Sequence, residues 1–365
     1  MALCPRKRIP AIDTAKGLGI LCVFLGHLCV VDSAPFRMIF NFHMPLFFVL
    51  AGIVFDLDRL GDFRTLMRKL GRNILRPFAF FVLLGVLINI IRGTFLPQPG
   101  TNNAFLWILE ITKGQPTFVP SAWFLTSMFM TQLTFWLIFA GRTKTQKIKS
   151  MVILGAAVFI FGSIVVPIYF KLQTFHPEIR DYLSILLPLK IPTLPFALFF
   201  FAIGYFFRER LLRIPYLLPL LFPLTLYASS LFQTPNIAIP IVPVWWCFFP
   251  CAIIGALSIL SISQRFSFRP LTFIGKNSLI FFMLEGHIVP VILLATHKIF
   301  PNSSLSPMTT QLSPILIPLV LFASLACISC LVPTINRLFL RRKSPSLANQ
   351  PGVTFVQGDI RESAE

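Results

Sequence analysis

Apolar residues fall into long runs separated by short polar segments, rather than into the strict alternation of a half-buried sheet. A helix of about twenty residues crosses a hydrocarbon core of about 30 Å. About ten runs of that size are present, centred on residues 12–31, 36–55, 74–92, 121–140, 150–170, 184–207, 214–232, 241–262, 271–296 and 314–340. The pattern predicts an all-α, polytopic integral membrane protein of about ten transmembrane helices. Pro188, Pro192 and Pro195 predict kinked or broken spans, which membrane helices tolerate when neighbours re-satisfy the freed backbone groups. Between the third and fourth runs, "FLWILE" at 105–110 is flanked by Pro, Gly and Asn and predicts a short helix lying along the membrane surface. Residues 1–343 read as one transmembrane domain and 344–365 as a polar, disordered cytoplasmic tail. No internal repeat is visible.

Composition and charge narrow this picture. Of 365 residues, 56% are hydrophobic and 12% charged, too apolar for one soluble core. A net charge of +19 suggests nucleic acid in a soluble domain, but here the basic residues cluster between apolar runs, so membrane topology accounts for them and no nucleic-acid partner is assigned. With the N-terminus inside, 22 of the 32 Lys and Arg residues fall on the inner side, among them Arg6 to Arg8, Arg59 to Arg76, Arg142 to Lys149 and Arg337 to Lys343. Seven fall at or near the outer face, so both termini are placed in the cytoplasm, with an even helix number. Asp13 and Lys16 break the run behind Arg6, Lys7 and Arg8, and no small-residue cleavage site follows, so the first span is retained. The seven cysteines are scattered and read as packing residues; Cys327 and Cys330 have CxxC spacing but no nearby His or Cys partner, and no metal is assigned.

Titratable groups inside hydrocarbon are costly and mark functional positions by default. Lys16 and His27 are eleven positions apart, which returns to nearly the same helix face at an axial gap of about 16 Å. They share a face without touching. Asp13, one turn before Lys16, is placed to neutralise it. His43 enters the second span from the outer side, and the short hairpin between the spans makes His27 and His43 neighbours. Glu285 lies about 21 Å into the ninth span, at the height of His27, and Lys276 matches the depth of Lys16. The arrangement reads as a vertical polar path, cationic below and imidazole-carboxylate above. A snorkelling Lys16 and a purely topological role for "LMRKLGRNILRPF" are the simpler alternatives.

At these residues the chain resembles the acyltransferase family 3 membrane proteins, especially the branch of fucose O-acetylases and other bacterial sugar O-acetyltransferases. The matching pieces are a Lys, ten residues, then His (Lys16 and His27); "FHMPLFFVLAG" in the second span; the basic-x-x-Arg element Lys69 to Arg72; "AWFLTSMF" opening the fourth span; and "IGKNSL" in the ninth. The family often has a histidine shortly after "NSL"; this chain has Glu285, with His287 two positions on. The resemblance implies transfer of an acyl group, usually acetyl, from cytoplasmic acyl-CoA to a saccharide hydroxyl at or beyond the outer face. It implies His27 as the catalytic histidine, with Lys16, Lys69 and Arg72 on the CoA side; Arg76 and Lys276 join them as donor-binding candidates. Trp123 and Asn277, within the shared motifs, are the candidate substrate-binding residues.

Chemistry fits that implication. Sugar hydroxyls are poor nucleophiles near neutral pH, so a histidine that removes the proton during attack on a thioester acts as general base. Glu285 is the candidate to orient it, His43 the further catalytic candidate, and a covalent acyl-histidine relay the alternative. The expected partners are acyl-CoA as donor substrate, a carbohydrate acceptor and membrane lipid, with no permanently bound cofactor, in the inner membrane of a bacterium. Rival readings are a multi-pass secondary transporter, which also has broken helices and midplane polar groups, and a non-catalytic scaffold of the same fold.

Overall fold

In the computed structural model, residues 8–95, 104–114, 116–165, 168, 189–215, 218–231, 245–299 and 316–340 are described. The expected tail at 344–365 lies outside them, as do 169–188, where the expected fifth span ends and the sixth begins. Every regular element among the described residues is helical. The longer ones are α1 (Pro10–Leu28), α2 (Ala34–Val54), α3 (Phe63–Leu70), α4 (Arg76–Phe95), α5 (Ala104–Lys113), α6 (Trp123–Phe139), α7 (Lys144–Ile160), α8 (Leu194–Phe206), α9 (Phe222–Ser230), α10 (Trp245–Arg265), α11 (Arg269–Lys276), α12 (Ser278–Ile299) and α13 (Leu316–Ile335). A π turn, Gly71–Leu75, joins α3 to α4, and another, Asn336–Leu340, ends α13.

Seven stretches among the described residues are long and apolar enough to cross a membrane: Pro10–Leu28, Ala34–Val54, Phe63–Ile91, Pro120–Phe139, Cys247–Arg265, Ser278–Ile299 and Leu316–Leu338. The runs expected at 184–207 and 214–232 form the shorter apolar helices Ile191–Phe206 and Leu218–Ser230. Prolines explain the shortening: each of these helices carries proline in its first turn, where the missing N–H costs nothing and the fixed φ starts a helix afresh. The "FLWILE" stretch is helical, within α5.

Local signals set the first hairpin. Proline sits in the first turn of α1, and Cys29 leaves that helix in an extended conformation. Asp32 then turns the chain at φ +63°, a left-handed position that Asp tolerates better than most residues. Ser33 caps α2 by accepting from the Phe36 N–H at 3.4 Å.

Packing centres on α1 and α2. Helix α2 lies against α1, α8, α9 and α10, and α1 also packs on α11, α12 and α13. Two seams bring backbones into close approach. A Cβ on Gly275 would sit 1.6 Å from the Asp13 carbonyl oxygen, and one on Gly17 would sit 2.1 Å from that of Leu271, so α1 and α11 meet through facing glycines. Gly52 and Gly204 do the same for α2 and α8, each 2.1 Å by that measure from a carbonyl oxygen of the other helix. Phenylalanines including Phe24, Phe48, Phe135, Phe196, Phe200, Phe201 and Phe281 are fully buried in the interior. Leu83 and Leu87 on α4, Val152 and Ile153 on α7, Val291 and Leu294 on α12 and Phe322 on α13 face outward, the arrangement a hydrocarbon solvent favours.

The bundle thus has two chemically distinct ends. At one, α1 begins against α11, Lys69 lies over the Phe55 ring at 4.8 Å, and Phe55 packs on Phe135 and Tyr205. At the other, α1 hands over to α2, and Arg37 donates to the Ser230 carbonyl at 3.1 Å.

Candidate active site

His27 occupies the last turn of α1, and Glu285 lies one third of the way along α12. Helix rise alone set them at one height; in the structure they touch. His27 Nδ1 and Glu285 Oε1 are 2.7 Å apart. The two environments differ sharply, since the histidine side chain is 45% exposed and the carboxylate 2%. Among the described residues Glu285 Oε2 has no hydrogen-bond partner, and the imidazole is the one group there that satisfies this buried carboxylate. With Glu285 ionised and the imidazole neutral, the carboxylate can only accept, so Nδ1 carries the proton and Nε2 presents a lone pair. An exposed ring nitrogen with a free lone pair, backed by a buried anion, is equipped to take a proton from a hydroxyl.

His43 is adjacent but not bonded to that pair. Its Nδ1 donates to the Ile39 carbonyl at 2.8 Å, and it is buried. The Phe40 ring touches both imidazoles, stacked on His27 at 6.2 Å and edge-on to His43 at 4.9 Å. Gly26 makes room for it: a Cβ there would come within 3.1 Å of Phe40 Cε2. Phe40 was not singled out in the sequence; its place three residues before His43 in "FNFHMP" was the available signal. Trp123 opens α6 after the turn Pro120–Ala122, which packs against α12, and a Cβ on Gly286 would lie 3.8 Å from Pro120. Trp123 is therefore close in the fold to the helix that carries Glu285.

The remaining candidates sit toward the other end. Lys16 is half-buried, on the same face as His27 and about 16 Å from it along the helix. Asp13 does not neutralise Lys16 by direct pairing: its Oδ2 pairs with Arg8 Nε at 2.8 Å, and Lys16 makes no ion pair among the described residues. Arg8 precedes the helix, and its long side chain folds back over the first turn, which one-turn spacing within α1 did not anticipate. Lys69 is half-buried over Phe55, while Arg72, Arg76 and Lys276 are exposed. Arg72 lies inside the π turn Gly71–Leu75, a local distortion frequent at functional sites. Asn277 uses its amide within the fold, donating to the Phe273 carbonyl at 2.9 Å and accepting from Asn336 at 3.0 Å. That bond ties α11 to the π turn that carries Arg337, a basic residue the sequence marked only for topology.

Comparison with known families decides the class. The sequence profile of acyltransferase family 3, described as an acyltransferase domain, matches residues 9–333. The chain belongs to that family. This acyltransferase's described residues include seven helices fit to cross a membrane, which makes it an integral membrane protein. No curated protein and no solved structure matches it.

Proposed function

We propose that this acyltransferase moves an acyl group, acetyl in the first instance, from cytoplasmic acyl-CoA to a hydroxyl of a cell-surface or lipid-linked carbohydrate. It is placed in the fucose O-acetylase-like branch, with about ten spans and both termini cytoplasmic, in a bacterial inner membrane. The observation that carries the mechanism is the 2.7 Å contact between exposed His27 and buried Glu285. The segregation of Lys69, Arg72, Arg76 and Lys276 from that pair supports two substrates approaching from opposite ends.

The acceptor hydroxyl donates its proton to His27 Nε2 as its oxygen attacks the thioester carbonyl. Glu285, fixed on Nδ1, holds the ring orientation and stabilises the imidazolium that forms. The carbon–sulfur bond breaks, the ester carbon–oxygen bond forms, and the proton passes to the departing CoA sulfur. General-base catalysis of this kind contributes about 10² to 10⁴ in rate. The highly charged CoA phosphates stay with the basic end, where guanidinium groups offer charge-assisted hydrogen bonds, and only the thin pantetheine arm enters.

Mass spectrometry of surface glycans from cells with and without the gene tests this reading. Loss of an acetyl increment on deletion, restored by the wild-type chain, is expected. Unchanged glycans, together with no transfer of label from acetyl-CoA in membranes, would return the chain to the transporter or scaffold reading.

A further inference from the structure

On the reading above, the acyl thioester starts at the basic end and must reach His27, so whatever rests on the face of α1 between Lys16 and His27 controls the passage. Gly19 lies on α1 between them, three positions after Lys16 and eight before His27. A Cβ there would come within 2.9 Å of Phe47 Cζ and 3.2 Å of Leu46 Cδ2, so the Phe47 ring of α2 lies directly on the α1 backbone. Phe47 meets Phe124 of α6 at 5.9 Å and Phe282 of α12 at 6.4 Å, and Phe124 meets Phe282 at 5.4 Å. Three rings from three helices thus close a triangle, with Phe47 seated against Gly19 of α1. Phe282 is also one turn before Glu285, so the triangle sits immediately on the basic side of the catalytic pair. Phe47 and Phe282 are 8% and 7% exposed. The three ring pairs meet tilted or edge-on rather than flat, at 52° to 66°.

We propose that Phe47, Phe124 and Phe282 form the constriction through which the acyl-pantetheine arm passes, and that their bulk sets the length of acyl group delivered to His27. This rests on the acyl-CoA reading. Phenylalanine suits such a gate, because an aliphatic acyl chain and the methylenes of the arm displace rings at little polar cost when the side chains have no hydrogen bonds to lose. Packed against one another, the rings keep water from the thioester path, a recognised function of closure. An acetyl methyl needs little room beside Phe47, whereas each added methylene competes with ring volume. The covalent step is unchanged; the selection acts on which thioester arrives.

The test compares donor preference. Membranes bearing wild-type, Phe47→Ala or Phe282→Leu protein are given radiolabelled acetyl-CoA, butyryl-CoA or hexanoyl-CoA, and label in the extracted glycan fraction is counted per unit of monodisperse protein. The butyryl-to-acetyl ratio is expected to rise about tenfold in Phe47→Ala, the scale on which a pocket senses a methylene, and to rise less in Phe282→Leu, which keeps an apolar side chain in the packing. Gly19→Val, which drives a side chain into Phe47, is expected to lower transfer from every donor, hexanoyl first. A proportional fall for all donors in Phe47→Ala, with an unchanged ratio in Phe282→Leu, reduces the rings to packing and overturns the inference while leaving the acyltransferase reading in place. No label from any donor in the wild type overturns that reading, and this one with it.

Discussion

At the His27 end, one imidazole and one buried carboxylate from two helices meet at 2.7 Å, with no third group on the carboxylate among the described residues. At the basic end, Arg72, Arg76, Lys276 and Arg337 are exposed and dispersed over three parts of the fold, and Lys69 rests on an aromatic face. The first is a single contact in which distance decides the chemistry. The second is an open field of charge, suited to a large polyanion whose contacts are spread out and individually modest. A buried carboxylate loses most when its partner is removed, because it is left uncompensated in a low dielectric. An exposed field loses by fractions, because solvent and neighbouring cations screen each member. Substitutions at the two ends should therefore differ in kind as well as in size.

The largest effect is expected at His27. Replacement by Gln keeps a donor for Glu285 but removes the base, and transfer should fall by about 10² to 10⁴ with normal membrane insertion; activity within a few-fold of wild type would place the chemistry elsewhere. Next comes the seam that sets α1 against α11. Gly275→Val puts a side chain where a Cβ already lies 1.6 Å from the Asp13 carbonyl oxygen, and overpacking of this sort costs about 1–3 kcal/mol. Thermal unfolding in detergent should begin at lower temperature, while Gly61→Val, at a glycine with open space around it but a φ of +52°, reports backbone strain alone for comparison. The smallest effect belongs to the open end. Arg72→Ala should raise the KM for acyl-CoA severalfold, up to about the tenfold that a lost contact of 1.4 kcal/mol represents, with acceptor KM unchanged. If its kcat fell as steeply as that of the His27 variant, the contrast between the ends would collapse.

Much of this was legible because membrane helices convert sequence position into depth. Counting rise along α1 and α12 put His27 and Glu285 at one height, and their contact follows from that height once the helices are adjacent. The all-helical class was legible from the apolar runs for the same reason. What depth does not encode is lateral arrangement. The contact of Phe40 with both His27 and His43, and the pairing of Asp13 with Arg8 in place of Lys16, depend on side-chain direction around the helix and on a residue outside it. Pro192, Pro195 and Pro223 start short helices inside runs that are uniformly apolar, a division that hydropathy does not register because it is blind to a missing N–H. The glycine seams were invisible singly: Gly17 and Gly275 acquire meaning only as a facing pair.

The mechanism stands on Glu285 acting through His27, and Glu285→Gln isolates that dependence. Gln keeps the size and still accepts from His27 Nδ1, but it carries no charge to stabilise the imidazolium. The kcat for acyl transfer is expected to fall by at least about tenfold, the consequence of losing 1.4 kcal/mol of transition-state stabilisation, while acceptor KM, acyl-CoA KM and membrane insertion stay at wild-type values. A variant with full kcat would contradict this, showing that the 2.7 Å contact orders the helices without taking part in the reaction.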